Sequence, residues 1–147
     1  MNLYTAFGTN KELEQEGVYL QYGENSQGQN IRFRVARAGG NNKAYNRALE
    51  RRTRPHKRAI TAGTLDEKQA EAMLLDVFID TVLLGWEGVE DQQGDIIPYS
   101  KQAARQLMQD LPDLYTDLRE QTNSYALFQQ DIEAGVVKNS GTLSSTS

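Results

Sequence analysis

Asp76 and Asp80 stand one helical turn apart in the most apolar stretch of the chain, a spacing at which two carboxylates can share a metal ion or a proton. No histidine or further carboxylate at ligand spacing joins them. The pair therefore reads as a narrow solvated stripe, or as partners for neighbouring basic side chains. The single histidine, His56, follows Pro55 in a basic segment. Base catalysis would want an orienting carboxylate and a nucleophile beside it, and no such trio is recognisable. Asp91-Gln92-Gln93-Gly94-Asp95 has the residue types of a calcium loop but lacks the alternating acidic ligands and the terminal glutamate, and reads as a turn. Gly39-Gly40 is a structure breaker without the rest of a phosphate loop. There is no cysteine, so thiolate chemistry and disulfides are excluded, which fits a reducing intracellular setting. The expectation is a protein without catalytic, cofactor or metal site, and not an enzyme.

Charge is the stronger signal. The net charge is −4, yet from Arg32 to Arg58 ten basic side chains face a single acid, Glu50, so the rest of the chain is strongly acidic. Such asymmetry points to intermolecular electrostatics, with an acidic partner or between copies of the chain. Arg47, Arg51, Arg52, Arg54, Lys57 and Arg58 form the candidate electrostatic interface. They could neutralise nucleic-acid phosphates. The aromatic interleaving of single-strand binders is missing, however, with only Tyr45 nearby, and nucleic acid is the weaker reading. A solvated basic helix that pairs with a neighbour's acidic face is the stronger one.

The elements that carry these residues follow from periodicity. With 147 residues, 38% apolar composition and a mean hydropathy of −0.66, one soluble domain with a modest core is expected. Residues 1–16 are polar with no clear period and no signal-peptide pattern. Val18–Tyr22 and the alternation of Ile31, Phe33 and Val35 flank a Gly/Asn turn and predict a β-hairpin. Asn42 can cap a helix that Pro55 ends or bends. Thr64-Leu65-Asp66-Glu67 fits a capping box for a helix apolar almost all round, through Met73, Leu74, Val77, Phe78, Val82 and Trp86, with Gly85 as its C-cap. Its apolar run is too short to span a bilayer. Ser100 caps the next helix. In Asp110-Leu111-Pro112-Asp113 the aspartate can cap, and the proline opens, a last helix through Leu114, Leu118, Tyr125, Phe128 and Ile132, closing near Gly135. The fold class is α+β, mainly α, with the N-terminal β-hairpin packed against four or five helices. The division is a polar segment 1–16, one domain 17–135 and a flexible tail 136–147.

Between the apolar helix and the Ser100 helix, Gly85, Trp86, Gly88, Gly94 and Pro98 form a structural turn that locks two helices together. Leu84-Gly85-Trp86-Glu87-Gly88-Val89, Asp91, Gly94, Ile97-Pro98-Tyr99-Ser100, Ala103-Ala104 and Leu111-Pro112-Asp113-Leu114 form an ordered series. Together with Arg37-Ala38-Gly39-Gly40-Asn41-Asn42 and Tyr45, it resembles the tail assembly chaperones of long-tailed bacteriophages, over roughly residues 18–139. The resemblance implies an α-rich, self-associating, non-enzymatic protein of the host cytoplasm. Such a protein binds the tape measure protein, keeps it soluble and promotes assembly of the tail tube, whose subunit is a further possible partner. Trp86, Phe78, Leu107 and Leu114 are then structural, and exposed members of the apolar stripes contribute to association. The resemblance also implies a longer form made by a −1 ribosomal slip, for which Lys138-Asn139 is the candidate site. The alternatives are a structural tail or neck component of the virion, or a basic nucleic-acid-binding protein.

Overall fold

The computed structural model describes residues 1–129 and the strand 136–138. Two short helices, α1 (Leu3–Phe7) and α2 (Lys11–Glu16), precede the hairpin β1 (Val18–Glu24) and β2 (Asn30–Val35). Next come α3 (Lys43–Thr53), a 3-10 turn (Arg54–His56) and α4 (Lys57–Ala62). The long α5 (Glu67–Thr81) leads into β3 (Leu83–Glu87), followed by α6 (Lys101–Asp110), α7 (Pro112–Asn123), a second 3-10 turn (Tyr125–Phe128) and β4 (Val136–Lys138). The sheet order is β3-β2-β1-β4, antiparallel except for the β1–β4 pair. This is the expected α+β, mainly α fold: the hairpin packs against α5, α6 and α7, and α3 lies on α5. Among the described residues no helix is long and apolar enough to cross a membrane.

The period of two in the hairpin does what it predicts. Val18 pairs with Val35 and Leu20 with Phe33 on the inner face, all buried, while Arg32 and Arg34 point to the other face. The helices cover that inner face with Phe78, Ile79, Val82, Ala104, Met108, Leu118 and Phe128. The helix α5 touches α3, α6 and β3, which is why its sequence is apolar on several sides.

Four local expectations are corrected. First, Gly85 and Trp86 do not lie at a helix exit or in a turn: α5 ends at Thr81 and both belong to strand β3. Arg34 pairs with Gly85 but Val35 with Leu83, so Leu84 is an extra residue on the β3 side. That bulge lets Leu83 and Trp86, three positions apart, both face the core. Second, the α5 cap is Asp66, whose carboxylate accepts from the Gln69 amide, and not Thr64. Thr64 closes α4 instead, its amide and its hydroxyl both donating to Ala59 O behind the left-handed Gly63. Third, the last helix does not run to Gly135. It ends at Asn123, and Ser124, in extended conformation, caps the 3-10 turn that carries the buried Leu127 and Phe128. Asp110 does not cap it either, since Leu111 is the cap position and the Asp110 carboxylate accepts from Gln106. Fourth, residues 1–16 are not without regular structure: Asn2 and Asn10 cap α1 and α2 by accepting two backbone amides each. Asn42 and Ser100 cap α3 and α6 as predicted, and Pro112 opens α7.

Of the tail, Val136–Lys138 forms the edge strand β4. The readings on Ile132, Gly135, Asn139 and residues 140–147 lie outside the described residues.

Candidate functional site: a groove between α3, α5 and α7

Asp76 and Asp80 face the basic segment across the α3–α5–α6 seam. Arg52 donates to Asp76 at 2.8 Å and to Asp80 at 3.3 Å, Arg105 pairs with the other Asp76 oxygen, and Lys101 reaches Asp80 at 3.4 Å. The two carboxylates thus hold three helices together through cations. Among the described residues no three His, Asp or Glu side chains gather into a metal-sized cluster.

The basic cluster splits by role. Arg52 is spent on that ladder, and Arg54 on Glu50 one turn back in α3. Arg47, Arg51, Lys57 and Arg58 are exposed and make no ion pair among the described residues. Arg47 and Arg51 lie one turn apart on the exposed side of α3, while Lys57 and Arg58 open α4 beyond the 3-10 turn. His56 sits half-buried in the 3-10 turn.

The predicted turn residues form a rigid frame. The Trp86 indole donates to Ile97 O at 2.8 Å, and its ring meets Phe33 and Tyr99 edge-on at 6.1 and 5.1 Å between centroids. Tyr99 donates to Leu83 O at 2.6 Å, so residues 97–99 are tied to strand β3, with Pro98 exposed between them. Burial and the nearby Asp80 charge push the Tyr99 phenol up, so it stays a donor. Gly88 has a φ of 74° and lies against the Asn30 carbonyl, where a side chain would collide. Gly94, at φ 85°, closes the Asp91–Asp95 turn, in which Asp91 accepts from the Gln93 and Asp95 amides. This frame ties the segment that leads into α6 to strand β3.

An open groove of about 460 Å³ lies between α3, α5 and α7. It is lined by Tyr45, Leu74, Phe78 and Tyr115 on the apolar side and by Thr116, Arg119, Glu120 and Asn123 of α7 on the polar side. Phe78 and Tyr115 meet edge-on at 5.2 Å, and the Arg119 guanidinium lies 4.5 Å from the Tyr115 ring centre. Leu74 is 41% exposed although it sits in the most apolar helix. The Tyr115 hydroxyl is buried with no hydrogen-bond partner among the described residues. Burial raises its pKa, partly offset by the Arg119 charge. An apolar cleft with a few oriented polar groups is the usual form of a binding site, and its volume is within the range of about 300–1,000 Å³ common for such sites. Sequence reasoning placed Leu74 and Phe78 on one α5 stripe but missed Tyr115 and Arg119. Their i, i+4 spacing on α7 is the one signal that could have found them.

A scan against protein-family models matches residues 40–139 to a family described as YdaY prophage protein. No curated protein and no solved structure matches the chain. The match takes in every helix from α3 to α7, the Trp86 frame and all the groove walls named above, well over half of the chain. This phage-derived chain belongs to the YdaY prophage protein family.

Proposed function

We propose that this protein is a tail assembly chaperone, a non-enzymatic protein of the host cytoplasm that binds the tape measure protein, keeps it soluble and promotes assembly of the tail tube around it. The observation that carries this reading is the groove between α3, α5 and α7, open and amphipathic, with Leu74 part-exposed beside Phe78 and Tyr115. A tape measure protein is a long helical chain, and an amphipathic helix lays its apolar face into such a groove. The residue series around Trp86 and Leu111-Pro112-Asp113-Leu114, which resembles the tail chaperones, supports the same reading, as does the prophage family. Arg47, Arg51, Lys57 and Arg58, exposed and without an ion pair among the described residues, and the acidic remainder of the chain support association between copies alongside the client.

The test is co-expression with the tape measure protein of the same prophage. Wild type holds it in the soluble fraction as a complex. Leu74→Asp, which changes a part-exposed wall residue, loses the complex while keeping the fold by circular dichroism. Persistence of the protein in mature particles would replace this reading with that of a structural tail or neck component. A salt-sensitive nucleic-acid shift, lost in an Arg47→Glu/Arg51→Glu variant, would replace it with nucleic-acid binding.

A further inference from the structure

Four cations of the basic segment, Arg47 and Arg51 on α3 and Lys57 and Arg58 on α4, are exposed and make no ion pair among the described residues. The one acid of that segment, Glu50, is taken by Arg54. Ile60, one turn beyond Lys57 on α4, is 44% exposed, and no residue of this short helix is buried. The opposite charge gathers at the α6–α7 corner, where residues 109–113 are all exposed. Asp110, which accepts from Gln106, and Asp113 make no ion pair among the described residues. No Lys or Arg lies between Arg105 and Arg119 in the chain to offset them. Between the two aspartates Leu111 is 48% exposed. Each face thus carries one exposed aliphatic side chain beside charges of one sign, and the signs are opposite. An apolar centre with a charged rim is the anatomy of an interface, and the two faces are complementary halves of one.

We infer that the basic face of α3 and α4 docks on the acidic α6–α7 corner of a second copy of this chain, with Ile60 of one copy packed on Leu111 of the next. This deepens the chaperone reading, rests on its self-association alone and needs no client. Charge complementarity selects the occupant. Nucleic acid would also meet the four cations, but the acid-rich remainder of the chain would repel it and Leu111 would stay uncovered. A second copy satisfies both faces at once. The contact joins two different surfaces, so it is head-to-tail and repeats, giving a ring or an open row of copies. Exposed ion pairs are individually weak and screened by salt, so the association is weak and salt-sensitive.

Sedimentation velocity of the full chain tests this. Wild type should self-associate in about 50 mM sodium chloride and move towards monomer by about 0.5 M. Arg47→Glu/Arg51→Glu and Asp110→Lys/Asp113→Lys should each stay monomeric with unchanged circular dichroism, because each then carries two faces of one sign. Mixed in equal amounts they should associate again, since the intact acidic corner of the first meets the intact basic face of the second. Ile60→Ser should weaken wild-type association about 10-fold. The inference is overturned if wild type is monomeric in low salt, if either reversed variant associates as wild type does, or if the mixture stays monomeric. A monomeric wild type that shifts RNA or DNA, with the shift lost in Arg47→Glu/Arg51→Glu, assigns the cations to nucleic acid instead. The chaperone reading separates from this one. A monomeric wild type that keeps the tape measure protein soluble sinks the docking and leaves the chaperone, and an associating wild type that holds no tape measure protein does the reverse.

Discussion

Two charge networks hold this molecule together, and they differ in almost every physical respect. At the N-terminal end, Glu14 is fully buried, and its carboxylate accepts from Arg37 at 2.5 Å, Asn41 Nδ2 at 2.6 Å, Thr9 at 3.0 Å and the Asn41 amide at 3.3 Å. At the helical end, the Asp76–Asp80 ladder lies in partial solvent, its aspartates 26% and 35% exposed and its arginines 40%. The first network is built around one desolvated charge whose every donor is needed. The second spreads two charges over three cations that water also solvates. Removing a member should therefore cost several times more in the first than in the second, although the second has more ion pairs.

The largest effect is expected at Glu14 itself. Glu14→Ala leaves Arg37 and Asn41 without their acceptor in a dry site and should cost about 3 kcal/mol, read as a lowered midpoint in urea unfolding. Glu14→Gln, which keeps the shape and one acceptor, should cost less than half as much. A loss under about 1 kcal/mol for the alanine variant would erase the distinction between the two networks.

Gly40 sharpens the comparison next. Its φ is 51°, and a Cβ there would run into the Glu14 carboxylate and the Arg37 side chain. Gly40→Ala should therefore cost about 2 kcal/mol, a combination of backbone strain and displaced donors. The adjacent Gly39, at φ 122°, has open space where its Cβ would stand. Gly39→Ala should cost only its backbone strain, about 1 kcal/mol. Equal losses at the two positions would mean that the loop conformation matters and the carboxylate contact does not.

Acid should separate the networks in a third way. Burial pushes the Glu14 carboxyl up, but the hydrogen bonds from Asn41, Arg37 and Thr9 more than reverse this and hold it below its ordinary value of 4.5. With the folded value lowered, the stabilisation is complete above about 4.5 and is lost as pH falls through the folded pKa. Stability against pH should thus fall more steeply below about pH 4.5 in wild type than in Glu14→Gln. Parallel curves would show that Glu14 does not titrate with unfolding.

The two networks also differ in how far the sequence reveals them. Caps at Asn42 and Ser100 are legible because donor and acceptor lie three residues apart. The hairpin is legible because its period of two is local. Asp76 and Asp80 could be read as partners for basic side chains, since the basic run is conspicuous and one aspartate pair faces it. Glu14 could not, because its partners lie 23 and 27 residues away and are found only once α2 docks on the loop after β2. The same limit hid the groove, whose walls come from three helices, and misplaced Trp86, whose strand is short, bulged and continuous in sequence with an apolar helix. Thr64 misled for another reason: a good capping residue had already been taken by the preceding helix end.

The smallest effect, and the most discriminating, is expected in the ladder. Asp76→Asn removes one charge from between Arg52 and Arg105 but leaves an amide that still bonds to one of them. Water can solvate the released guanidinium, so the cost should be about 0.5–1 kcal/mol in low salt. It should shrink further when sodium chloride reaches about 0.5 M, because the Debye length then falls to about 4 Å and these part-exposed charges are screened. The Glu14→Ala loss should hardly respond to the same salt, since ions do not enter a site from which water is excluded. Thermal melts of both variants across a salt series read the contrast directly. If the Asp76→Asn loss is salt-independent and exceeds about 2 kcal/mol, the ladder acts as a buried network despite its exposure, and the positions of α3 and α6 depend on it as much as the loop after β2 depends on Glu14.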